Sequence, residues 1–529
     1  MTTNITNSYF NVITAYAQRF YGNINMNSGN QIKLGAIISY ISISINMLFG
    51  LVYTPWMIHS IGKENFGLYT LAMSVISLFV FDFGLSQAVQ RFVAKYLAEG
   101  KKEQANNCLS IVAKLYLGID IILLFLLTIV YFFIPSIYKE LSLQEIDKFK
   151  IVYCIAAIFS ILSFPFIPLN GILAANEKFV QLKSCELIHK FLTVGLMSIC
   201  LILGYGLYAL VTVNAISGLF TIILKLFVLK KNTNFQINWS YNEKNEFKSI
   251  LSFSGWVTVI ALAQRLIFNI APTILGIFSG LASIATLGIA ITLEGYVYLF
   301  ASAINGLFLP KVARTMTAGE NILPLMIKIG RIQITIIALI ILGFVCVGKE
   351  FICNWVGLSF SDAYLGAILL IIPSLLHLPQ EIADQALILT NRIKLKAKAF
   401  ITMAILNIIL SFILVPILGM IGMCISICIS YLVRTIILDI IYQKELHIDV
   451  AYFFKESFIR MSFPLLLTLV IGWGINHIVP LNGWTGVFCK MSLFTLEYCI
   501  ILYTLGMNKS EKYLFQEPLH HIYRKITNS

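Results

Sequence analysis

Charged side chains lie deep inside apolar segments of this sequence, and they are the groups that could bind a ligand or do chemistry. Arg265 precedes the end of one apolar segment by about 12 residues, and Glu294 follows the start of the next by about 13. If both segments are helices, a rise of about 1.5 Å per residue places the two groups roughly 18 to 20 Å from the turn between them. Two interpretations follow: a structural ion pair, or an Arg265 that binds pyrophosphate or an acidic sugar through its fixed fork of donors.

A second set of charges lies in the first half of the chain. Glu186, His189 and Lys190 share one helix face, with Lys190 about 15 Å deep. Lys114 and Asp120 lie in an earlier apolar segment. Because an ionised group at such depth is costly unless it is paired or hydrated, Lys190 and Asp120 either line a polar cavity or form structural pairs. For Lys114, snorkelling or a helix-end pair competes with a ligand-binding role.

Two prolines interrupt a later apolar segment just before Glu381 and Asp384. Proline frees backbone carbonyl groups within a helix, and carboxylates beside such a break can bind Na⁺ or a proton. This pattern predicts a site that couples to an ion gradient. The alternative is an ion pair at the helix end with Arg392 or Lys394.

Motifs of several enzyme classes are absent from the sequence. It contains no GxxxxGK[ST] phosphate loop, no HExxH metal motif and no CxxC pair among its ten cysteines. No polar stretch is long enough for a nucleotide-binding domain. We therefore predict no catalytic residues, no metal site and no cofactor, and expect that the protein is not an enzyme.

The apolar segments must supply the elements that position these charges. Hydrophobic residues make up 58% of the chain and charged residues 12%, and the mean hydropathy is +0.85. A water-soluble fold cannot cover that much apolar surface. Since a helix needs about 20 apolar residues to cross a bilayer, we predict an all-α polytopic membrane protein with about 14 transmembrane helices. Their predicted ranges are 34–58, 66–89, 109–133, 151–173, 180–203, 207–229, 250–277, 281–309, 326–347, 365–389, 397–417, 420–442, 458–479 and 484–507.

The distribution of basic residues predicts the orientation. Of the 38 lysines and arginines, 28 lie in one alternating set of loops and helix ends, and 5 lie in the other set. Because cytoplasmic loops retain Lys and Arg, the first set is predicted to be cytoplasmic, together with both termini. The formal net charge of +13 is then a topology signal and does not indicate binding to nucleic acid.

An internal repeat with a period of about 216 residues divides the chain. Because each copy contains six helices, both copies keep one orientation, which predicts two six-helix lobes in parallel repeat plus two extra C-terminal helices. The landmark pairs are Pro55 and Pro272, Gly100 and Gly319, Asn176 and Asn391, and Gly204 and Gly419. The predicted division is a cytoplasmic extension 1–33, a first lobe 34–229, a cytoplasmic linker 230–249, a second lobe 250–443, two additional transmembrane helices 444–507 and a cytoplasmic tail 508–529.

The segment from Ile61 to Gly100, IGKENFGLYTLAMSVISLFVFDFGLSQAVQRFVAKYLAEG, resembles the early signature of bacterial polysaccharide-export flippases. In that family a turn of the form LG-x-x-x-[FY]G-x-Y leads into the second helix, which ends in D-x-G-L before a basic amphipathic stretch. LPKVART at 309–315 and the turn at Asn391 fit the same pattern. The resemblance covers nearly all spans. Asn269 departs from it, because an acidic residue is expected there, and this puts ion coupling at that position in doubt.

The resemblance implies a Wzx-like O-antigen flippase of the multidrug, oligosaccharidyl-lipid and polysaccharide exporter superfamily. Such a protein moves an undecaprenyl-pyrophosphate-linked oligosaccharide across the bacterial inner (plasma) membrane by alternating access, for lipopolysaccharide O-antigen or another surface polysaccharide. The implied partners are this lipid-linked oligosaccharide, membrane lipids and other polysaccharide-assembly proteins. The substrate-binding candidates are Arg265, Glu294, Lys190, Asp120, Glu186 and Lys114, and the candidates for Na⁺ or proton coupling are Glu381 and Asp384.

Two other functions remain open from the sequence. A multidrug or cation exporter could be built on the same lobes, although the two extra helices and the intramembrane basic residues weigh against it. A membrane polysaccharide polymerase would need a sizeable external loop with catalytic residues. The longest predicted external loops, 134–150 and 348–364, are short for that role.

Overall fold

A computed structural model describes residues 28–512 of the chain, and all regular secondary structure within the described residues is helical, as predicted. The predicted N-terminal extension as far as residue 27, the tail from residue 513 and Asn391 lie outside the described residues. Residues 234, 242 and 510 are also not described, nor are the side chains of residues 28–37, 39, 40, 232, 253, 301–310, 313 and 317.

Eighteen α-helices follow one another along the described chain, several of them joined end to end by short 3₁₀ or π segments. They are α1 Ser28–Ile61, α2 Lys63–Phe79, α3 Leu85–Ala98, α4 Lys102–Ile137, α5 Leu143–Ser163, α6 Leu169–Ala175, α7 Phe179–Ile202, α8 Leu207–Asn232, α9 Lys244–Phe268, α10 Ile270–Phe278, α11 Gly280–Thr317, α12 Leu323–Val356, α13 Ala363–His377, α14 Glu381–Leu389, α15 Ile393–Glu445, α16 Val450–Phe454, α17 Arg460–Ile478 and α18 Gly483–Ile501.

Twelve described segments are long and apolar enough to span a membrane. Two more crossings, helix α2 and the second half of α15, bring the number to the predicted fourteen. Helix α2 has 17 residues and is slightly shorter than the other spans. Helix α15 has 53 residues and contains two crossings that meet at Gly419, whose φ of 55° favours glycine. The chain folds back there, and this reversal brings the Ser411 hydroxyl to within 3.4 Å of Met423 Sδ. Gly204, its predicted repeat partner, also has a positive φ of 79°.

The second crossing is broken, and the prediction of one continuous helix over 66–89 was wrong. Phe83 and Gly84 have φ values of 51° and 67°, which end the regular helix between α2 and α3. Asp82 stabilises the break, since its Oδ1 accepts hydrogen bonds from the Ser86 amide at 3.0 Å and the Tyr116 hydroxyl at 2.5 Å. The D-x-G-L pattern noted in the sequence therefore marks a helix break.

The tenth crossing is interrupted where its prolines predict. Helix α13 ends at His377, a 3₁₀ turn containing Pro379 follows, and α14 starts at Glu381. Proline at this position cannot donate to the preceding turn, so the helix axis is free to change. Glu381 and Asp384 lie in the first turn of α14 as a result.

The turns divide into two sets on opposite sides of the bundle. We call the side with the lysine-rich turns, which was predicted to be cytoplasmic, the basic face, and the other side the opposite face. The basic face carries turns 99–101, 176–178, 233–243, 318–322 and 446–449, and the opposite face carries turns 138–142, 203–206, 357–362 and 479–482.

Near the opposite face the two lobes meet along a close seam. Helix α2 of the first lobe packs against α10 and α11 of the second. The backbones approach so closely that a Cβ atom at Gly67 would overlap the Leu281 carbonyl oxygen. Lys63 adds a hydrogen bond to the Ser359 carbonyl and lies 4.6 Å from the Phe360 ring centroid. The structure therefore closes the space between the lobes on this side.

One seam contact depends on a proline in α1. Pro55 has no N–H group, so the Leu51 carbonyl loses its usual partner within the helix. The Trp355 indole N–H of α12 donates to this carbonyl at 2.6 Å. Trp355 is 5% exposed, so the hydrogen bond lies in a buried part of the seam.

The connector between the lobes, residues 233–243, is attached to α4. The Asn238 amide donates to the Ser110 hydroxyl at 2.8 Å, and Lys114 donates to the Tyr241 carbonyl at 2.7 Å. The Tyr241 hydroxyl donates to the carboxylates of Glu243 and Glu246. Burial, together with these carboxylates, raises the pKa of Tyr241. Lys114 thus has the structural role that the sequence left open.

Arg331 of α12 attaches the last two crossings to the second lobe. Its guanidinium donates to both carboxylate oxygens of Glu511 at 2.5 and 3.0 Å, and to the carbonyls of Glu456 and Gly506. Nearer the opposite face, Lys490 of α18 forms an ion pair with Glu350 at 2.7 Å. Helix α18 is therefore anchored to α12 at both ends, and the segment that leads into α17 is anchored near the basic face.

Candidate functional site

A polar cavity of about 460 Å³ lies inside the second lobe. Its walls come from α9, α11, the α13–α14 break and both halves of α15. Three basic and three acidic side chains line it, together with aromatic and amide groups. The charged lining residues are Arg265, Lys396, Arg434, Glu294, Glu381 and Asp384. Four of these six, Arg265, Glu294, Glu381 and Asp384, were site candidates from the sequence.

Arg265 connects this cavity to the first lobe. Its Nη1 donates to the Ser77 carbonyl of α2 at 2.5 Å, and its guanidinium lies 4.9 Å from the Phe81 ring centroid. Nearby, the Thr258 hydroxyl of α9 donates to the Phe83 carbonyl in the break between α2 and α3. Arg265 is thus held where the first lobe meets the cavity wall.

Glu294 lines the same cavity, as expected from its matching depth, but it forms no ion pair with Arg265 within 4.0 Å. Glu294 is 8% exposed, and its carboxyl group interacts with the Ser374 side chain of α13. Of the two interpretations of this pair, the structural salt bridge is therefore not formed. Asn269, the position that departs from the family pattern, is also part of the cavity wall.

Asp384 lies in a hydrogen-bonded cluster at the end of the cavity nearest the basic face. Its carboxylate forms an ion pair with Lys396 at 2.9 Å and accepts a hydrogen bond from the Tyr442 hydroxyl at 2.9 Å. For Asp384, the expected alternative of a pair with Arg392 or Lys394 was wrong in its partner. Arg392 pairs with Glu445, and Lys394 lies 5.8 Å from the Trp256 ring centroid. Lys396, two residues after Lys394, is the residue that pairs with Asp384.

Arg434 is a cavity residue that the sequence did not single out. It is 4% exposed, and its guanidinium lies 5.0 Å from the Phe400 ring centroid and 4.6 Å from the Tyr431 ring centroid. Sorting the basic residues does find it, because Arg434 is one of the five lysines and arginines that belong to neither set of loops and helix ends. No acidic residue at matching depth drew attention to it.

The candidates in the first lobe are not part of this cavity. Glu186 pairs with Lys183 at 2.9 Å, one turn back along α7. His189, on the same helix face, interacts with the Thr221 hydroxyl of α8 at 2.9 Å. Lys190 is half-buried, and one carboxylate oxygen of Asp120 is buried without a hydrogen-bond partner. The structure does not bring these four residues together with Arg265.

The cavity combines positive and negative groups without the donor set of a metal centre. Among the described residues, no group of three or more His, Cys, Asp and Glu side chains is arranged to hold a metal ion. Planar guanidinium groups suit phosphate and carboxylate groups, and the aromatic rings suit sugar faces or cations. The lining can therefore hold a polar ligand with an anionic group.

Comparisons with known proteins agree with this architecture. A family model described as "Polysaccharide biosynthesis protein" matches residues 32–316. The structure of "Lipid II flippase MurJ, inward closed conformation" superposes with a TM-score of 0.66 at 15% identity, covering 92% of this chain and 99% of that chain. An inward-facing multidrug resistance MATE family transporter of the MOP superfamily gives 0.63 at 15% identity, covering 80% and 99%.

A further similar structure is a MOP superfamily transporter from Pyrococcus furiosus, described as having a binding pocket of reverse polarity, with a TM-score of 0.56 at 16% identity, covering 78% and 94%. No curated protein sequence matches the chain. At these identities the structural likeness shows the fold alone, which is the MOP-superfamily transporter fold. The resemblance noted in the segment from Ile61 to Gly100 is confirmed.

Proposed function

The chain belongs to the polysaccharide biosynthesis protein family, and we propose that it is a flippase that moves an undecaprenyl-pyrophosphate-linked oligosaccharide across the bacterial inner membrane. The product would serve the assembly of O-antigen or another surface polysaccharide. Other polysaccharide-assembly proteins are proposed partners. The basic face is proposed to be cytoplasmic, with both termini on that side.

The observation that carries this proposal is a charged cavity inside helices that are otherwise apolar. Ionised groups within a membrane are costly, so their presence points to a polar cargo. Arg265 and Arg434 offer planar donor forks that match phosphate oxygens. A cavity of about 460 Å³ is in the size class of small-molecule sites, which suits a pyrophosphate and the first sugar. The remaining sugars would extend toward the basic face.

Alternating access follows from where the lobes touch. The seam of α2 with α10 and α11 is closed near the opposite face, whereas the cavity lies in the half of the second lobe near the basic face. Loading from the basic face, separation of this seam and release on the other side make one transport cycle. Arg265 links the cavity to α2, the first-lobe helix of this seam. It lines the cavity and donates a hydrogen bond to the Ser77 carbonyl of α2.

Asp384 and Glu381 are the proposed coupling groups for a Na⁺ or proton gradient. Both line the cavity beside the proline break, and Asp384 already interacts with Lys396 and Tyr442. Cation binding at Asp384 would release Lys396. In vesicles, the transport rate should depend on the imposed gradient in wild type and lose that dependence in Asp384→Asn.

A multidrug or cation exporter is the second candidate function. The observation in its favour is the set of three carboxylates, Glu294, Glu381 and Asp384, beside aromatic rings in the same cavity. Drug hypersensitivity of a deletion strain with normal surface glycan would support this function over the flippase. Accumulation of lipid-linked glycan on the inner face would support the flippase.

The test is a transport assay with purified protein in vesicles. Undecaprenyl-pyrophosphate oligosaccharide with a radiolabelled glycan is placed in the bilayer, and an external glycosidase reports the fraction that becomes accessible over time. Wild type should expose the inner-leaflet pool. Arg265→Ala should slow transport about 10-fold or more, since a hydrogen bond to a charged group contributes about 1.5 to 3 kcal/mol.

Two controls separate binding from folding. Arg265→Lys keeps the charge and should retain part of the rate with normal protein stability. Lys248→Ala removes an exposed basic residue from the same helix, α9, and should leave transport unchanged. Wild-type protein that leaves the inner-leaflet pool protected would overturn the proposed function.

A further inference from the structure

Arg434 is the most enclosed basic group of the cavity. It lies on α15, 11 residues before that helix ends at Glu445, which corresponds to about 16 Å from the basic face. The residue is 4% exposed, and its guanidinium packs against the Phe400 and Tyr431 rings. Tyr431 is itself fixed by Phe268, at 5.9 Å between ring centroids. The orientation of Arg434 is therefore set before any ligand binds.

Arg434 forms no salt bridge within the described part of the chain, although its charge acts on Asp384 over a longer distance. No described carboxylate lies within 4.0 Å of it, and its Nε is buried without a hydrogen-bond acceptor. Asp384, another acidic residue of the cavity, is already bound to Lys396 and Tyr442. The aromatic rings stabilise the charge through their faces but do not accept its in-plane N–H groups.

A buried guanidinium with unused donors is unfavourable in the absence of a compensating anion. The same feature is favourable in a binding site, because the donors are desolvated and oriented in advance. A planar fork that packs against two rings can approach two oxygen atoms of one tetrahedral group at once. A lysine could supply the charge but not this bidentate geometry.

We infer that Arg434 binds the phosphoryl oxygens of the transported molecule and is the anion anchor of the second lobe. This inference rests on the proposed function for the identity of the cargo and specifies how its pyrophosphate is held. Arg265 binds at the junction with the first lobe, whereas Arg434 binds within the second. Asp384, at the end nearest the basic face, is in direct contact with Lys396 and interacts with Arg434 only over a longer distance, so the donors of Arg434 remain for the ligand.

The test measures binding of inorganic pyrophosphate to the purified full-length chain by titration calorimetry, with glucuronate as a carboxylate ligand for comparison. Wild type should bind pyrophosphate more tightly than glucuronate. Arg434→Gln should weaken pyrophosphate binding about 10-fold or more, and Arg434→Lys should weaken it less. The matched control is Lys444→Ala, an exposed lysine on the same helix, which should bind as wild type does.

A second variant keeps the inference testable if Arg434→Gln does not fold. Phe400→Leu removes one ring of the aromatic pair without a change in charge, and it should weaken pyrophosphate binding about 3-fold. Unchanged pyrophosphate affinity in Phe400→Leu and in any folded Arg434 variant would overturn the inference. An equal loss in Lys444→Ala would do the same, because it would indicate binding to general surface charge.

The transport assay distinguishes this inference from the proposed function. Arg434-dependent pyrophosphate binding without movement of lipid-linked glycan would support the anion site and contradict the flippase. Normal transport of lipid-linked glycan by a folded Arg434→Gln variant would support the flippase and contradict the anchor.

Discussion

Trp355 and Pro55 act on the same backbone carbonyl, and this allows a rescue experiment at the seam between the lobes. In wild type the Leu51 carbonyl cannot bond within α1, because residue 55 is a proline, and it accepts the Trp355 N–H at 2.6 Å instead. Trp355→Phe removes that donor and leaves a buried carbonyl unpaired. The expected cost is about 1 to 3 kcal/mol of unfolding free energy, the usual penalty for an unsatisfied buried group.

Pro55→Ala restores an N–H group that can reach the Leu51 carbonyl within the helix. In that background Trp355→Phe should cost about 1 to 2 kcal/mol less than it does in wild type, and this difference is the coupling energy. Unfolding free energies can be measured by titration with SDS in mixed micelles, followed by far-UV circular dichroism. Trp473→Phe is the control, because Trp473 is 64% exposed and should have little effect.

The result that refutes this reasoning is additivity. If Trp355→Phe costs the same in wild type and in the Pro55→Ala background, to within about 0.5 kcal/mol, then the carbonyl does not connect the two residues. A distance measurement adds an independent check. With spin labels at His59 and Leu358, both exposed beside the seam, Trp355→Phe should raise the separated population about 2- to 12-fold, the factor for one net hydrogen bond.

Two further predictions concern packing elsewhere in the bundle. Arg331→Met should destabilise the protein by about 3 to 5 kcal/mol, since it leaves the Glu511 carboxylate buried and unpaired. Proteolysis near residue 507 should increase as well. The double variant Arg331→Met with Glu511→Met should recover most of the lost stability. No loss in the single variant would contradict the assigned role of Arg331. Gly67→Leu should abolish export at normal protein level, because its side chain would overlap the Leu281 carbonyl and hold the seam open. The control is Gly118→Leu, which should export normally, because a Cβ atom at Gly118 meets no atom within 4 Å. Normal export by Gly67→Leu would show that the seam need not close.

Counting residues along each segment predicted depth well. Arg265 and Glu294 were expected at one depth and line one cavity, and the prolines before Glu381 predicted the break that brings Asp384 to it. Depth depends only on the helical rise, which is nearly constant. The lengths of the apolar segments likewise predicted fourteen crossings, including the reversal at Gly419 inside α15.

Rotation about each helix axis was not predictable in the same way. Lys190 and Asp120 have suitable depths, but they do not line the cavity, and only tertiary packing decides which side chains face it. Arg434 was missed because its partners are the aromatic rings of Phe400 and Tyr431, which are unremarkable in an apolar sequence. The break at Phe83 depends on positive φ values that propensity alone does not indicate.

The attachment of residues 233–243 to α4 limits how the two lobes can move relative to each other. Since Ser110 and Lys114 hold the connector, it moves with the first lobe and cannot act as a spring between the halves. Rotation of the second lobe relative to the first would then occur at the backbone dihedral angles where α9 begins at Lys244. It would also require α9 to slide over the break at Phe83. After cleavage of the chain between Glu243 and Lys244, the two fragments should therefore stay associated and remain active in transport.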